Sequence, residues 1–150
     1  MKIRLAVNRE KYPLLQQELE SLGIEIDDTA DLQLCEAEER ADQLLLKHGG
    51  SGDMVLVEAG DIIYIESFGH KLELHTATAT YSCSEPLYRL LLRLNSDRFL
   101  RISNSVIINC DRLQRISPTL SMKFVLTMSN GARVDVTRSY YYIFKERFGI

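Results

Sequence analysis

Residues 54–76, MVLVEAGDIIYIESFGHKLELHT, contain three runs of strand length, Met54–Val57, Asp61–Glu66 and Lys71–Thr76, divided at Gly60 and Gly69. The runs are rich in β-branched and apolar side chains, and glycine breaks at this interval favour hairpins over helix. An antiparallel sheet is therefore expected from residue 54 onward.

Further along, Ser84 is placed to cap a helix with Pro86 in its first turn, and Leu87, Leu90, Leu91 and Leu94 form an apolar stripe along it. Arg89 and Arg93 fall on the opposite face, where charge is expected whether or not anything binds. Strand character returns over Phe99–Ile102. Ser105–Asn109 reads equally as a strand or as one capped helical turn. Lys123–Met128 and Ala132–Thr137 alternate apolar with polar residues around Asn130-Gly131, a favoured pair for a tight hairpin turn. The aromatic run Tyr140–Phe144 predicts a terminal helix packed on the sheet.

Toward the N-terminus, residues 3–7 predict a short strand. Asn8 then caps a helix carrying Tyr12, Leu15, Leu19 and Leu22 and ending at Gly23. Ile24–Ile26 alternates like a strand, and Glu36–His48 places Ala37, Ala41, Leu44, Leu45 and His48 on one helical stripe. The run Gly49-Gly50-Ser51-Gly52-Asp53 has the composition of a linker. The expected fold class is α+β: a small strand-helix-strand-helix unit at residues 1–50, then a mostly antiparallel β domain with one main helix at residues 54–150.

Net charge is -3, unevenly spread. Residues 1–50 carry 6 Lys/Arg against 11 Asp/Glu, and the remaining hundred carry 12 against 10. The first unit is thus acidic and the second slightly basic, which suggests different partners for the two. No stretch approaches the roughly 18 apolar residues of a membrane span, and the start of the chain lacks a signal-peptide pattern, so no membrane insertion and a cytoplasmic location are expected. Cys35, Cys83 and Cys110 are odd in number and widely spaced, which predicts buried thiols rather than disulfides or a zinc knuckle.

Enzymatic signatures are missing. There is no GxSxG elbow, GxxxxGK loop or GxGxxG turn, and residues 1–50 are too few for a phosphoreceiver. His70 and His75, five apart, point to opposite faces of a continuous strand and are badly placed to share a metal. Glu73 and His75 read as an ordinary surface pair and Glu66 as structural. No enzyme, cofactor or metal is expected.

Residues 54–148 resemble the LytTR family of bacterial DNA-binding domains. The motifs that carry the resemblance are Asp61–Ser67, the leucine-striped helix, Phe99–Asn109, and Asn130-Gly131 followed by Val134–Tyr140. The resemblance implies a mostly antiparallel fold whose strand-end loops enter successive major grooves of double-stranded DNA, in a sequence-specific transcriptional regulator. By motif position it implies His70, Asn104 and Arg138 as base-contacting residues, with Lys71, Arg101, Ser103 and Ser139 contacting phosphate. Their chemistry agrees: Arg can bond guanine bidentately, Asn suits adenine, and His can donate to a base or a phosphate.

The N-terminal unit is similar to the short extension of family members without a receiver, whose genes often neighbour one for a small membrane protein. It is expected to serve dimerisation, giving a homodimer, or signal input. The rival reading is a protein- or ligand-binding module that keeps the fold without binding DNA, motivated by low basicity and by Ser103 where many members carry a basic residue. RNA binding, which would use stacking aromatics on an open sheet, ranks lower because most aromatics here fit core positions.

Overall fold

Asn8 turns the chain at the end of the first strand, β1 (Lys2–Ala6): its side-chain oxygen accepts the Lys11 N–H at 2.9 Å and its carbonyl accepts the Tyr12 N–H at 3.1 Å. Helix α1 (Tyr12–Ser21) follows, with Pro13 in its first turn and Gly23 at φ +83° beyond its end. Strands β2 (Glu25–Ile26) and β3 (Leu32–Cys35) flank β1, both parallel to it. The structure, a computed structural model, describes residues 1–36 and 41–150.

This first unit, Met1–Glu38, has little core. Ile3 and Leu5 alternate inward from β1, whereas α1 has no buried residue and every residue of β3 is exposed. Cys35, expected to be buried, is exposed.

The helix expected over Glu36–His48 does not form where the chain is described. Ala37 and its neighbours to residue 40 lie outside the described residues, and Gln43–His48 is a strand, β4. Its Leu44 and Leu46 are buried while Leu45 and Lys47 are exposed. The run Leu44-Leu45-Leu46 satisfies either period, and pairing with the following strand decides between them. The glycine run likewise closes a hairpin and does not link the units: β4 pairs antiparallel with β5 (Met54–Glu58), and Gly52 takes φ +75° between them. Turn-forming composition serves a hairpin as readily as a linker.

In the second unit, Glu39–Ile150, a 3-10 turn (Ala59–Asp61) leads to β6 (Tyr64–Phe68), β7 (Lys71–His75) and β8 (Thr80–Cys83). Helix α2 (Leu87–Arg93) follows; its N-cap position is Pro86 with no side-chain cap, so Ser84 does not cap it. Next come β9 (Phe99–Arg101), β10 (Val106–Asn109) and a 3-10 turn (Cys110–Arg112). Strands β11 (Leu113–Pro118), β12 (Phe124–Met128) and β13 (Arg133–Val136) lead through a 3-10 turn (Arg138–Tyr140) to α3 (Tyr141–Phe148). The architecture is α+β and mostly antiparallel. No helix among the described residues is long and apolar enough to cross a membrane.

Two antiparallel sheets build this unit, one ordered β5-β4-β8-β7-β6-β10-β9 and one ordered β11-β12-β13. Two cores follow from the alternation of the strands. Leu44, Leu46, Ile65, Leu72, Leu74 and Ile107 pack with Leu87 and Leu90 of α2 and with Leu94 just past its end. Val106 and Ile108 face the other way, into a core of Phe124, Leu126, Met128, Val134, Val136 and Phe144. All four residues of β10 are therefore buried. The turn between β12 and β13 places Gly131 at φ +83°, and the Asn130 side chain accepts the Ala132 N–H at 3.1 Å.

Asn109 is the fully buried polar residue at the end of β10. Its Nδ2 donates to the Ile62 carbonyl at 2.9 Å and, more weakly, to that of Gly60 at 3.3 Å, while its Oδ1 accepts the Asp111 N–H at 3.0 Å. Leucine there would leave the Ile62 carbonyl and the Asp111 amide without these partners. Asn109→Leu is expected to lower stability by about 2–4 kcal/mol, read as a fall in the urea midpoint at unchanged slope; a change below about 0.5 kcal/mol would show that these bonds carry little.

Candidate nucleic-acid interface

Antiparallel register brings three separate segments to one end of the sheets. Val106 pairs with Glu66, so the loop entering β10 lies beside the turn leaving β6. The Ser67 N–H donates to the Ser105 carbonyl at 2.8 Å, joining those two segments, and the Thr137 N–H donates to the Ile102 carbonyl at 3.1 Å, drawing in the segment after β13. The three regions of the chain that carry His70, Asn104 and Arg138 are thereby gathered by backbone bonds.

His70 is exposed at the tip of the β6–β7 turn, where Gly69 takes φ +60°, and Lys71 is exposed at the start of β7. Asn104 is exposed in the β9–β10 loop. The Tyr140 hydroxyl donates to its Oδ1 at 3.2 Å, which leaves the amide NH2 as an outward donor and the oxygen with a second lone pair. Such an end can still pair with the donor-acceptor edge of adenine. Arg138 and Ser139 are exposed in the 3-10 turn that Tyr140 ends. The structure thus couples Asn104 to the Arg138 segment through a side-chain bond, while the segment carrying His70 is joined to the Asn104 loop by the Ser67–Ser105 backbone bond.

Arg101 and Ser103 have other work. The Arg101 guanidinium folds over its own loop, Nε donating to the Ser103 carbonyl at 3.0 Å and Nη2 to the Asn104 carbonyl at 2.6 Å. Ser103 is buried at 5% exposure, and its hydroxyl accepts the Ser105 N–H at 3.2 Å. A hydroxyl turned inward to shape a loop is poorly available to a phosphate, so the expected contact from Ser103 is not supported by its position.

The sequence reading missed three contributors. Tyr140 was assigned to packing, and only the fold reveals its bond to Asn104. Lys47 and His48, assigned to the acidic first unit, line a shallow groove with His70, Lys71 and Ser82. The positive charge of Lys47 reaches the second unit because β4 belongs to its sheet, while the His48 Nδ1 accepts the Gly50 and Ser51 N–H groups, each at 3.1 Å.

Comparison with known proteins fits this geometry. The family model of the LytTr DNA-binding domain matches residues 52–149. The transcriptional regulatory protein LytR of Staphylococcus aureus (strain N315) is 30% identical over 95 residues, covering 63% of this chain and 39% of that protein. The sensory transduction protein LytR of Staphylococcus haemolyticus (strain JCSC1435) is 24% identical over 150 residues, covering 99% of this chain and 58% of that protein. This chain therefore spans between about two-fifths and three-fifths of the length of these relatives. Among solved structures, the LytTr DNA-binding domain of a methyl-accepting/DNA response regulator from Bacillus cereus superposes with a TM-score of 0.68 at 27% identity, over 73% of this chain and 99% of that one.

Sheets stacked to present loops at one end, matched by family model and by solved structure, define a β-built DNA-binding domain. The chain belongs to the LytTR DNA-binding domain family.

Removing the Arg101 guanidinium should loosen the loop while sparing the cores. Arg101→Ala is expected to change global stability by no more than about 1 kcal/mol while speeding hydrogen exchange at the Ser105 amide, measured by NMR; unchanged exchange there would mean that the loop holds itself without Arg101.

Proposed function

We propose that this chain is a transcriptional regulator that binds double-stranded DNA sequence-specifically, with its strand-end loops entering successive major grooves. His70, Asn104 and Arg138 read base edges; Lys71, Arg101 and Ser139 approach phosphates, and Lys47 extends the basic surface. The observation that carries this reading is the clustering of three exposed polar side chains, from segments far apart in sequence, at one end of the sheets of a LytTR domain. Loops supported by a rigid sheet suit base reading because their donors are held before DNA arrives.

Two bonds of Arg101 to backbone carbonyls occupy part of its guanidinium, so its share in phosphate binding is smaller than that of Lys71. Residues 39–150 form the DNA-binding part and the first unit mediates homodimerisation or signal input. Support for dimerisation comes from Leu14, Leu22, Leu32 and Leu34, all exposed in the first unit, and from β3, an edge strand without charge. Apolar residues along an unprotected edge favour pairing with another chain. Two linked half-site readers would then gain effective concentration, offsetting the low charge of each. The protein is taken to act in the cytoplasm, on the chromosome, and to perform no catalysis.

Two tests follow from this reading. Arg138→Ala should cost about 1–3 kcal/mol of discrimination between specific and random duplex in a fluorescence-anisotropy titration, and binding should weaken as salt rises; equal affinity of wild type and variant for the specific duplex would remove Arg138 from base reading. Leu32→Lys combined with Leu34→Lys should convert a dimer to monomer in sedimentation velocity, whereas an unchanged sedimentation profile would place the self-association elsewhere or show that there is none.

A further inference from the structure

Outside the DNA-facing loops, β6 and β7 bring Glu66 and Glu73 directly opposite each other. Like charges in that relation repel across an antiparallel pair. No lysine or arginine among the described residues forms an ion pair with either carboxylate within 4.0 Å; the pairing present is between Glu73 Oε2 and His75 Nε2 at 3.8 Å. His75 lies two residues beyond Glu73 and so on the same face of β7. One ligand atom from each of Glu66, Glu73 and His75 lies within 4.8 Å of the other two.

The imidazole is held in a particular way. Its ring stacks on Tyr64, centroids 4.3 Å apart and planes 14° from parallel, and its Nδ1 lies 3.4 Å from the Thr80 hydroxyl. Its Nε2 is buried and has no hydrogen-bond partner. A buried nitrogen left without a partner is costly. A histidine with Nδ1 against an oxygen and Nε2 bare, aimed at carboxylates, has the arrangement of a metal ligand with its outer partner in place.

We propose that Glu66, Glu73 and His75 bind one divalent transition-metal cation of the zinc class. One imidazole nitrogen with two carboxylate oxygens suits zinc, cobalt or manganese and excludes a soft monovalent ion that needs thiolates. Ligands each about 2.1 Å from a tetrahedral zinc lie about 3.4 Å apart, so closing the site requires ligand atoms now within 4.8 Å of one another to approach by up to about 1.4 Å. Three protein ligands leave one tetrahedral position to water. The cation would cancel the repulsion between the carboxylates and give the orphaned Nε2 its partner. This inference stands independently of DNA binding. If both hold, it also removes negative charge from the strand whose next residue, Ser67, anchors the β9–β10 loop.

The test uses the full chain carrying Cys35→Ser, since that thiol is exposed and would compete for the metal. Zn2+ is titrated calorimetrically, and Co2+ is followed by its visible absorption. One equivalent should bind, and Glu73→Gln and His75→Gln should each weaken it by at least about tenfold, with circular dichroism showing both variants folded. His48→Gln, which changes a histidine outside the cluster, should leave the affinity unaltered. Absence of Zn2+ and Co2+ binding, or binding that survives Glu73→Gln or is lost in His48→Gln, would overturn the proposal. Glu73→Gln, at a side chain that is 35% exposed, keeps the test valid should His75→Gln misfold.

Discussion

Burial of β10 on both faces is the constraint on which the second unit rests. Ile107 enters the core beneath α2, while Val106 and Ile108 enter the core shared with β12, β13 and α3. One strand of four residues thus belongs to two hydrophobic layers. Its last residue, Asn109, satisfies backbone groups of the segment before β6, and the loop before its first residue carries Asn104. Anything that shifts β10 along its axis would therefore turn apolar side chains toward the wrong layer and move the Asn104 loop at once, because a one-residue slip exchanges the faces of a strand.

The loop cluster is organised by the same economy of contacts. Backbone bonds from Ser67 and Thr137 fix where the segments meet, and side chains of Arg101, Ser103 and Tyr140 fix how the Asn104 loop is shaped. Two groups that resemble phosphate ligands in the sequence are thus partly or wholly committed to the protein. Positive charge at this loop cluster is correspondingly modest, which in the proposed regulator would put weight on oriented donors and paired half-sites over bulk attraction to the duplex.

Much of the fold was legible where local period and punctuation agree. The alternation of β7, Lys71-Leu72-Glu73-Leu74-His75, and the Asn130-Gly131 turn both led to the strands observed, and the leucine stripe led to the helix α2. Ser105–Asn109 stayed ambiguous because a strand covered on both faces loses alternation and becomes a plain apolar run. Leu44-Leu45-Leu46 misled for the opposite reason: three consecutive leucines fit a helical stripe, and only pairing with β5 and β8 shows that alternate ones are buried. That error also hid the groove that Lys47 and His48 line with His70 and Lys71. The site residues themselves came from motif resemblance, while the bond between Tyr140 and Asn104, 36 positions apart, has no local trace. Glu66 facing Glu73 is likewise a product of register, invisible until β6 and β7 are paired.

The central claim is that duplex DNA meets the protein at the end of the sheets where the three loops gather. Hydrogen-deuterium exchange on the full chain, with and without its own upstream duplex at saturation, tests it most directly. New protection confined to residues 67–71, 102–105 and 137–140, with the β11–β12 side of the unit unchanged, is the predicted result. A bound duplex that protects other surfaces and leaves these three segments exchanging as before would contradict the account.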